Sequence, residues 1–347
     1  MFKPKFNYTN RIVNNLLKIL NIKNFIESAN ILPKSEVMLR RDARIKGTHA
    51  STSIEGNPLT LEDVVKLARG EDVYTETKSK LEVINHLKVL KYIGRNYNKI
   101  PINKTTILKI HKDIVRNTLY ESKNEGRYRD VQVFVGDSIT REVMYMPPSE
   151  KEVPKLMREL IEWINKKIKE KDIDPILIAG ITHYQFVHIH PFVDGNGRTA
   201  RVLCTLVLYK TGYEFRRLFN ISEYYEQNRR KYYDAIQSVR KNDMNMTEWL
   251  EYFTDGLKFS MNQVKERVLK LSISTRRGEI KEKIYLTNRQ QEIIEFLNKN
   301  EKITTGVISN MFKITRQAAL KEISKLVKLD IVKLKGKGRG ACYILSK

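Results

Sequence analysis

The chain has few cysteines and no long apolar run, and each of these absences restricts the cellular compartments that the sequence predicts. Cys204 and Cys342 are the two cysteines among 347 residues, and they lie in unrelated segments without a pairing pattern. This argues against a disulfide framework and indicates a reducing compartment. No N-terminal or later stretch is apolar for long enough to target the chain or span a bilayer. We therefore expect a cytoplasmic protein with no membrane partner.

Acidic residues are scarce relative to basic ones. The chain has 64 Lys and Arg against 40 Asp and Glu, a net charge of +24 at pH 7. This excess favours polyanionic partners such as nucleic acid, ATP or acidic protein surfaces, although a solvated coat of lysines would give the same count. A content of 41% hydrophobic and 30% charged residues is typical of a globular protein.

The most informative stretch is residues 190–201, His-Pro-Phe-Val-Asp-Gly-Asn-Gly-Arg-Thr-Ala-Arg, here called the signature segment. It joins two predicted helices, the first of which begins at Asp174-Pro175. Gly195 and Gly197 allow backbone N–H groups to converge at the N-terminus of the second helix, where an anion is favoured.

Four side chains complete the pattern. Arg198 and Arg201 are three residues apart, so they share a helix face and can both reach an anion. Asp194 is a hard oxygen ligand suited to magnesium, and His190 can take up a proton near neutral pH. The sequence thus predicts phosphoryl or nucleotidyl transfer. A turn that caps a core helix, with solvated arginines, is the simpler alternative.

The signature segment resembles the Fic family, because it matches the pattern His-Pro-Phe-x-Asp/Glu-Gly-Asn-Gly-Arg-x-x-Arg at every specified position. The resemblance implies a mainly α fold, an all-helical Fic core with a β-hairpin flap. It also implies transfer of AMP from ATP to a Ser, Thr or Tyr hydroxyl of a target protein, or of the chain itself. By this resemblance, His190 is the catalytic base and Asp194 binds Mg²⁺. The residues that it implies for nucleotide binding are Gly195, Asn196, Gly197, Arg198 and Arg201. Kinase-like relatives carry Lys at the position of Gly197, which disfavours simple phosphate transfer.

Residues 220–241 carry tyrosines at helical spacing, a pattern typical of a core or a subunit interface, so a homodimer is one assembly that the sequence permits. Fic relatives place residues from this neighbourhood around the adenine. By resemblance, Tyr225 and Asn228 are the candidates.

Upstream, Ser51-x-x-x-Glu55-Gly56 follows a predicted helix. Taken alone, Glu55 is unfavourably placed, since a carboxylate opposes the dipole at a helix C-terminus. The stretch resembles the inhibitory motif Ser/Thr-x-x-x-Glu-Gly/Asn of one Fic class. In that class the Glu pairs with the second arginine of the signature, here Arg201, and ATP then binds without its α-phosphate aligned.

Residues 132–135, Gln132, Val133, Phe134 and Val135, and residues 143–146 are short β-prone runs around a polar turn. Fic proteins have a target-docking flap at this place, introduced by a pattern that Gly126-Arg127-Tyr128-Arg129 fits. An exposed hairpin edge can pair with an extended target segment and bring its hydroxyl to His190.

The C-terminal residues read as three short helices followed by a basic hairpin, which resembles a winged helix-turn-helix. Residues 276–347 carry 17 basic and 7 acidic side chains, a net charge of +10. DNA phosphates and a protein surface are both plausible partners of such a module. The predicted domains are a helical region with the inhibitory helix (1–75), the Fic core (76–271), a linker (272–286) and the winged module (287–347).

Two alternatives to AMP transfer stay open at this point. The chain could be a DNA-binding regulator whose Fic core senses a nucleotide. It could also act mainly in removing AMP, because in some relatives the inhibitory Glu, here Glu55, helps water to release AMP from a modified target.

Overall fold

Helices account for most of the chain in the computed structural model, which describes residues 2–136, 143–275, 286–298, 300–336 and 341–346. By their contacts the residues form two units, Met1–Glu27 with Ala43–Lys265, and Ser28–Asp42 with Glu266–Lys347. The mainly α fold predicted from the sequence is confirmed. None of the described helices is both long and apolar enough to cross a bilayer.

The N-terminal helices are α1 (Asn10–Ser28), α2 (Pro33–Ile54) and α3 (Leu61–Arg69). Gly56 has a φ of 89°, a left-handed conformation that prevents the helix from continuing beyond α2. Thr60 and Asp63 form the capping box that begins α3, as the sequence predicts. The last residues of α2 and the turn that follows, residues 52–57, are here called the Glu55 turn.

The central helices of the first unit follow in chain order: α4 (Thr77–Asn96), α5 (Lys104–Val115), α6 (Val153–Glu170), α7 (Pro175–Ile189), α8 (Asn196–Lys210), α9 (Ser222–Gln227), α10 (Arg229–Lys241) and α11 (Thr247–Thr275). Helix α7 begins where predicted, with the Asp174 side chain accepting a hydrogen bond from Ile176 N at 2.8 Å. It is buried along most of its length between α6 and α8.

Close packing around α7 has a local cause. A Cβ at Gly180 would lie 2.9 Å from both Leu250 and Phe253 of α11, so only glycine permits this approach. Trp249 Nε1 donates a hydrogen bond to the Gly180 carbonyl at 2.8 Å. The core thus holds α7 firmly, and its C-terminal end can present a side chain at a defined place.

The hairpin is smaller than the sequence predicts. Strands β1 (Val135–Gly136) and β2 (Val143–Tyr145) are antiparallel, with Val135 opposite Tyr145. The predicted strand over 132–135 is wrong for residues 132–134. Continuing the register would place Val133 opposite Pro147, and proline has no N–H to donate. The predicted turn of this hairpin lies outside the described residues.

The second unit contains α12 (Asn288–Leu297), α13 (Thr305–Phe312), α14 (Arg316–Lys328) and an antiparallel pair, β3 (Val332–Lys335) and β4 (Cys342–Leu345). Thr287 and Gln290 form a capping box at the start of α12. Three helices and a hairpin follow in the predicted order, although residues 337–340 at the predicted wing tip lie outside the described part. The winged helix-turn-helix assignment stays a prediction.

The structure revises two details of the sequence-based division. Helix α11 continues through Thr275, so the first four residues of the predicted linker are helical. Residues 28–42, which the sequence assigns to the N-terminal region, belong to the second unit. Val37 packs into that unit's apolar core, and Lys34 Nζ donates to the Ser346 carbonyl at 3.0 Å. The sequence shows no sign of this, because the two segments lie at opposite ends of the chain.

Candidate functional site

The signature segment begins as a tight turn at the end of α7. His190 adopts a left-handed conformation (φ 50°, ψ 59°), and its N–H donates to the Phe186 carbonyl at 3.0 Å. The Asn196 side chain then closes the turn with two bonds, accepting from Phe192 N at 2.9 Å and donating to Phe192 O at 2.8 Å. The amide of Asn196 therefore stabilises the loop, and only its backbone N–H remains for an anion.

The N-terminus of α8 is occupied by the Glu55 carboxylate. Gly195 is the N-cap of α8, with a φ of 76°, and the first N–H groups of a helix have no partners inside it. A Cβ placed on Gly197 would lie 2.2 Å from Glu55 Oε1 and 3.1 Å from Arg201 Nη1. A carboxylate therefore sits against the backbone at the position where a helix terminus favours an anion.

Arg201 holds that carboxylate in place. Its Nη2 donates to Glu55 Oε1 at 2.7 Å and to the Ser51 carbonyl at 2.8 Å, while its Nε donates to Ser51 Oγ at 2.8 Å. Burial, the largest effect, lowers the pKa of Arg201, but the Glu55 carboxylate together with Tyr232 and Tyr233 raises it, and the net shift of the guanidinium pKa is upward. Both residues of the predicted inhibitory motif, Ser51 and Glu55, thus contact the arginine that the resemblance names.

Arg198 is buried as deeply as Arg201 and has a different acidic partner. Its Nη1 lies 3.0 Å from Glu82 Oε1 on α4, and its Nη2 lies 3.4 Å from Asp194 Oδ1. Sequence reasoning missed Glu82, because no local pattern connects it with a segment so far downstream. Arg198 Nε and Nη1 and Arg201 Nη1 make no hydrogen bond within the described part of the chain. Buried, unsatisfied guanidinium donors beside a helix N-terminus fit the oxygen atoms of a phosphate chain.

His190 lies on the same loop and is poised as a base. Its Nδ1 lies 3.2 Å from the Val187 carbonyl, which can only accept, so Nδ1 carries the proton, and Nε2, which has no hydrogen-bond partner among the described residues, can accept one. Burial lowers the pKa of His190, while the Val187 carbonyl and the Glu55 carboxylate act in the opposite sense. Because the net shift is downward, the imidazole is neutral at pH 7.

Arg129 connects this loop to the base of the hairpin. It is 3% exposed, and its Nε donates to the His190 carbonyl at 2.9 Å. Further bonds from its guanidinium reach the carbonyls of Val131 and Pro148, on the two sides of the hairpin. The second arginine of the Gly126–Arg129 pattern therefore fixes the hairpin's position relative to His190.

Asp194 has a side chain that is 46% exposed, and it accepts a hydrogen bond from Gly195 N. Its carbonyl accepts from His111 Nε2 at 2.9 Å, because Gly126 N donates to His111 Nδ1 and so sets the tautomer. The His111 ring also stacks on Phe192, with centroids 3.6 Å apart. Sequence reasoning missed His111 as well, since a histidine on an apolar helix face carries no distinguishing signal.

Comparisons with known proteins relate part of the chain to one family. Residues 101–208 match the model of the Fic/DOC family. These residues form a Fic domain. The chain is 32% identical to a protein adenylyltransferase Fic of Nematostella vectensis over 196 residues, which cover 55% of this chain and 43% of that protein. It is 29% identical to the Drosophila melanogaster protein adenylyltransferase Fic over 209 residues, covering 59% and 39%. The chain thus spans less than half the length of these relatives.

Two solved structures share the fold. A Fic family protein from Desulfovibrio desulfuricans G20 superimposes with a TM-score of 0.66 at 21% identity, covering 99% of this chain and 98% of that one. A Fic domain-containing signaling protein from Bacteroides thetaiotaomicron gives 0.63 at 22% identity, covering 75% and 98%. The likeness therefore reaches beyond the Fic domain itself.

Several side chains that contact the signature arginines lie outside the Fic domain. Ser51 and Glu55 precede it, and so does Glu82 on α4. The acids closest to the two arginines are therefore supplied by the segments that precede the Fic domain, and the domain itself adds Asp194, which lies near Arg198.

The two adenine candidates beyond the Fic domain have different surroundings. Tyr225 is fully buried and stacks on Tyr232 with centroids 4.4 Å apart, so its side chain offers no surface to a base in this conformation. Asn228 is exposed and separates α9 from α10, because its side chain caps α10 by accepting from Lys231 N. The next residue, Arg229, donates to Ser53 Oγ in the Glu55 turn at 2.7 Å.

The predicted docking edge has one well-exposed side chain. Phe134 is 58% exposed, whereas Gln132 and Val133 are half-buried. The Gln132 amide donates to the carbonyls of Val133 and Pro147, and the second of these bonds links the two legs of the hairpin without strand pairing. Target docking along residues 132–135 stays a prediction.

Buried histidines around the Fic domain should make its stability depend on pH. Burial lowers the pKa of His86 and His183 to about 3, and that of His111 and His188 to about 4. Unfolded, these groups titrate near 6.5, so below that pH the unfolded chain binds protons that the folded chain excludes. Between pH 6.5 and 5, we expect the free energy of unfolding to fall by up to about 2 kcal/mol per histidine. Urea unfolding at graded pH measures this, and equal midpoints at pH 7 and 5 would contradict it.

Proposed function

We propose that the chain is a protein adenylyltransferase that moves AMP from ATP to a Ser, Thr or Tyr hydroxyl of a protein. The single observation that carries the proposal is the shared loop: a neutral imidazole with a free Nε2 lies beside a helix N-terminus flanked by two buried arginines. The relatives named protein adenylyltransferase support the same activity. The geometry accommodates an anion and a base, which are the two requirements of this transfer.

In the proposed reaction, Arg198 and Arg201 hold the β- and γ-phosphates of ATP, and the N–H groups at the start of α8 hold phosphate oxygens. His190 Nε2 takes the proton of the target hydroxyl, and that oxygen attacks the α-phosphorus. The bond between the α-phosphorus and the bridging oxygen breaks, and pyrophosphate leaves with its charge stabilised by the arginines. The products are the AMP-modified protein and pyrophosphate.

Asp194 is the residue that would hold Mg²⁺. No group of three or more His, Cys, Asp or Glu side chains suited to a metal occurs among the described residues. A half-exposed single carboxylate nevertheless fits, because Mg²⁺ is commonly bound by one or two carboxylates together with substrate phosphates and water. The ion would neutralise phosphate charge when bound.

The contact between Glu55 and Arg201 is the proposed basis of autoinhibition. In this conformation the carboxylate occupies the helix N-terminus and takes up one Nη group of Arg201, so a γ-phosphate would have to displace it. Glu55 is 31% exposed, which leaves room for the Glu55 turn to move.

The experiment that tests the proposal is mass spectrometry of the purified chain and of proteins mixed with it after incubation with ATP and Mg²⁺. An added AMP on a Ser, Thr or Tyr side chain is the expected result, and modification of the chain itself would appear in the same spectra.

AMP removal, the alternative reaction, is measured by incubating a modified target with the chain and Mg²⁺ alone. Addition of phosphate or of a different nucleotide would contradict the proposal.

A second candidate function, DNA binding by the C-terminal module, is favoured by the exposed side chains of α14. Arg316, Gln317 and Lys321 are exposed on the first half of this helix, the part that reads base edges in helix-turn-helix proteins. Lys333 and Lys335 are exposed on β3. These positions support contact with DNA phosphates.

The salt dependence of DNA binding tests this second candidate. For the full chain, we expect the logarithm of the binding constant in gel shifts to fall linearly with the logarithm of salt concentration. Replacing both Lys333 and Lys335 with alanine should reduce that slope by about 2, because each lost phosphate contact removes about 0.9. The double variant Lys66→Ala/Arg69→Ala on α3 is a matched control that should leave it unchanged. Binding without salt dependence, or an unaltered slope, would argue against this function.

A further inference from the structure

Glu82 has no place in the signature or in the inhibitory motif, yet it is the acidic partner of a fully buried arginine. Arg198 is 2% exposed and the Glu82 side chain 13% exposed, with 3.0 Å between Nη1 and Oε1. A buried charge pair is retained at a desolvation cost, and an arginine left without its partner would be strongly disfavoured there. The buried Arg198 thus depends on the Glu82 carboxylate as its ion-pair partner.

The geometry of the pair sets the orientation of the guanidinium. The group is a rigid planar fork, so fixing two of its corners fixes the third. Glu82 lies at Nη1 and Asp194 lies at Nη2, while the Nε proton has no hydrogen-bond acceptor among the described residues. This remaining donor is held in a defined direction before any phosphate arrives, which is what preorganised anion recognition requires.

Glu82 is itself held from the Glu55 turn. Asn57 Nδ2 donates to Glu82 Oε2 at 2.8 Å and to the Ser79 carbonyl at 3.0 Å, while its Oδ1 accepts from Leu59 N at 3.2 Å. Asn57 is 8% exposed and lies two residues after Glu55. One short turn thus contacts Arg201 directly through Glu55 and reaches Arg198 through Asn57 and Glu82.

We propose that Glu82 is the positioning residue of Arg198, and that Asn57 holds Glu82 in the orientation that aims Arg198 at the β- and γ-phosphates. The inference rests on the proposed nucleotide site. It assigns opposite roles to the two acids of the preceding helices, since Glu55 competes with the nucleotide for Arg201 whereas Glu82 prepares Arg198 for it. Because the arginine acts beyond the α-phosphate, the contribution of Glu82 depends on the length of the phosphate chain.

The test is calorimetric binding of ATP, ADP and AMP to the Glu55→Gly chain, with and without Glu82→Gln. We expect Glu82→Gln to weaken ATP and ADP binding by roughly tenfold or more, the effect of one charge-assisted hydrogen bond, and to change AMP binding by less than twofold. Asn57→Ala keeps the Glu82 carboxylate but removes the hydrogen bond that holds it. It should weaken ATP and ADP binding by a smaller factor and leave AMP binding unchanged. Glu82→Asp should restore part of the loss. Glu62→Gln, an exposed acid paired with Lys66 on α3, is the matched control and should change nothing.

Several outcomes would overturn the inference. Unchanged ATP and ADP affinities in Glu82→Gln would do so. An equal loss of affinity for ATP, ADP and AMP together with a lower Tm would also do so, because a merely structural role gives that pattern. If Glu82→Gln does not fold, unaltered ATP and ADP affinities in Asn57→Ala would have the same meaning. A chain that binds ATP with this dependence but transfers no AMP would refute the proposed function alone. Failure of the Glu55→Gly chain to bind ATP would refute both.

Discussion

Replacing His190 with alanine should lower the rate of AMP transfer by roughly 10²–10⁴-fold, the usual contribution of a general base. The reason is geometric, because His190 Nε2 is the free, unprotonated ring nitrogen on the loop that also carries Asp194 and Arg198. The measurement is incorporation of label from ATP labelled at the α-phosphate, in a Glu55→Gly chain so that the parent rate is high enough to quantify a loss.

Nucleotide binding supplies the control for this variant. His190 is assigned to the target hydroxyl and not to the phosphates, so ATP affinity of His190→Ala should stay within about threefold of the parent, less than the tenfold that 1.4 kcal/mol represents. A transfer rate within threefold of the parent would show that another group accepts the proton. Loss of ATP binding in step with the loss of transfer would mean that His190 acts on the loop's structure and not as the base.

Replacing Glu55 with glycine should raise AMP transfer by roughly 10- to 100-fold. The estimate takes the contact with Arg201 as one charge-assisted hydrogen bond of about 1.5–3 kcal/mol, which ATP no longer has to displace. The change also clears the Glu55 carboxylate from the N-terminus of α8, where it lies against Gly197. Initial rates of label incorporation at low ATP concentration should show the largest difference.

Glu71→Gly is a matched control for this prediction. Glu71 is also an acid near a helix end, two residues after α3, but it is half-exposed and its ion-pair partner is the surface residue Arg69. Its replacement should leave the rate unchanged. If Glu55→Gly transferred AMP no faster than the parent chain, the autoinhibitory role of Glu55 would be wrong even though the ion pair exists. A rise in both variants would point to a general loosening of the N-terminal helices.

Local sequence chemistry determined much of what the structure contains. Asp174-Pro175 begins α7 and Thr60 with Asp63 begins α3, because capping side chains act on backbone groups within three residues of their own position. The signature segment is equally local, since the glycines, both arginines and the base all lie within one turn and the first part of one helix. Patterns of this kind need no knowledge of the fold to be read.

Short strands and aromatic stripes were less readable, because their outcome depends on a partner. The β-prone run 132–135 forms a strand only from Val135 onward, since its continuation would face Pro147 and Pro148, which cannot donate to a ladder. Tyr225 lies at helical spacing with other tyrosines, and packing alone decided that it is enclosed in the core. The β-propensity of a segment shows that it can form a strand, but packing against neighbouring segments determines whether it does.

The sequence by itself determined that a base, a carboxylate and two arginines lie around a glycine-lined helix N-terminus. Only the tertiary structure decided which distant acids pair with those arginines: Glu55, directly after α2, and Glu82, on α4, both precede the Fic domain. It also placed Asn57, which lies two residues after Glu55, within hydrogen-bonding distance of the Glu82 carboxylate. The physical reason is the range of the interactions: a cap or a glycine turn acts over a few residues of chain, whereas an ion pair acts over a few ångströms of space, and folding alone brings those positions together.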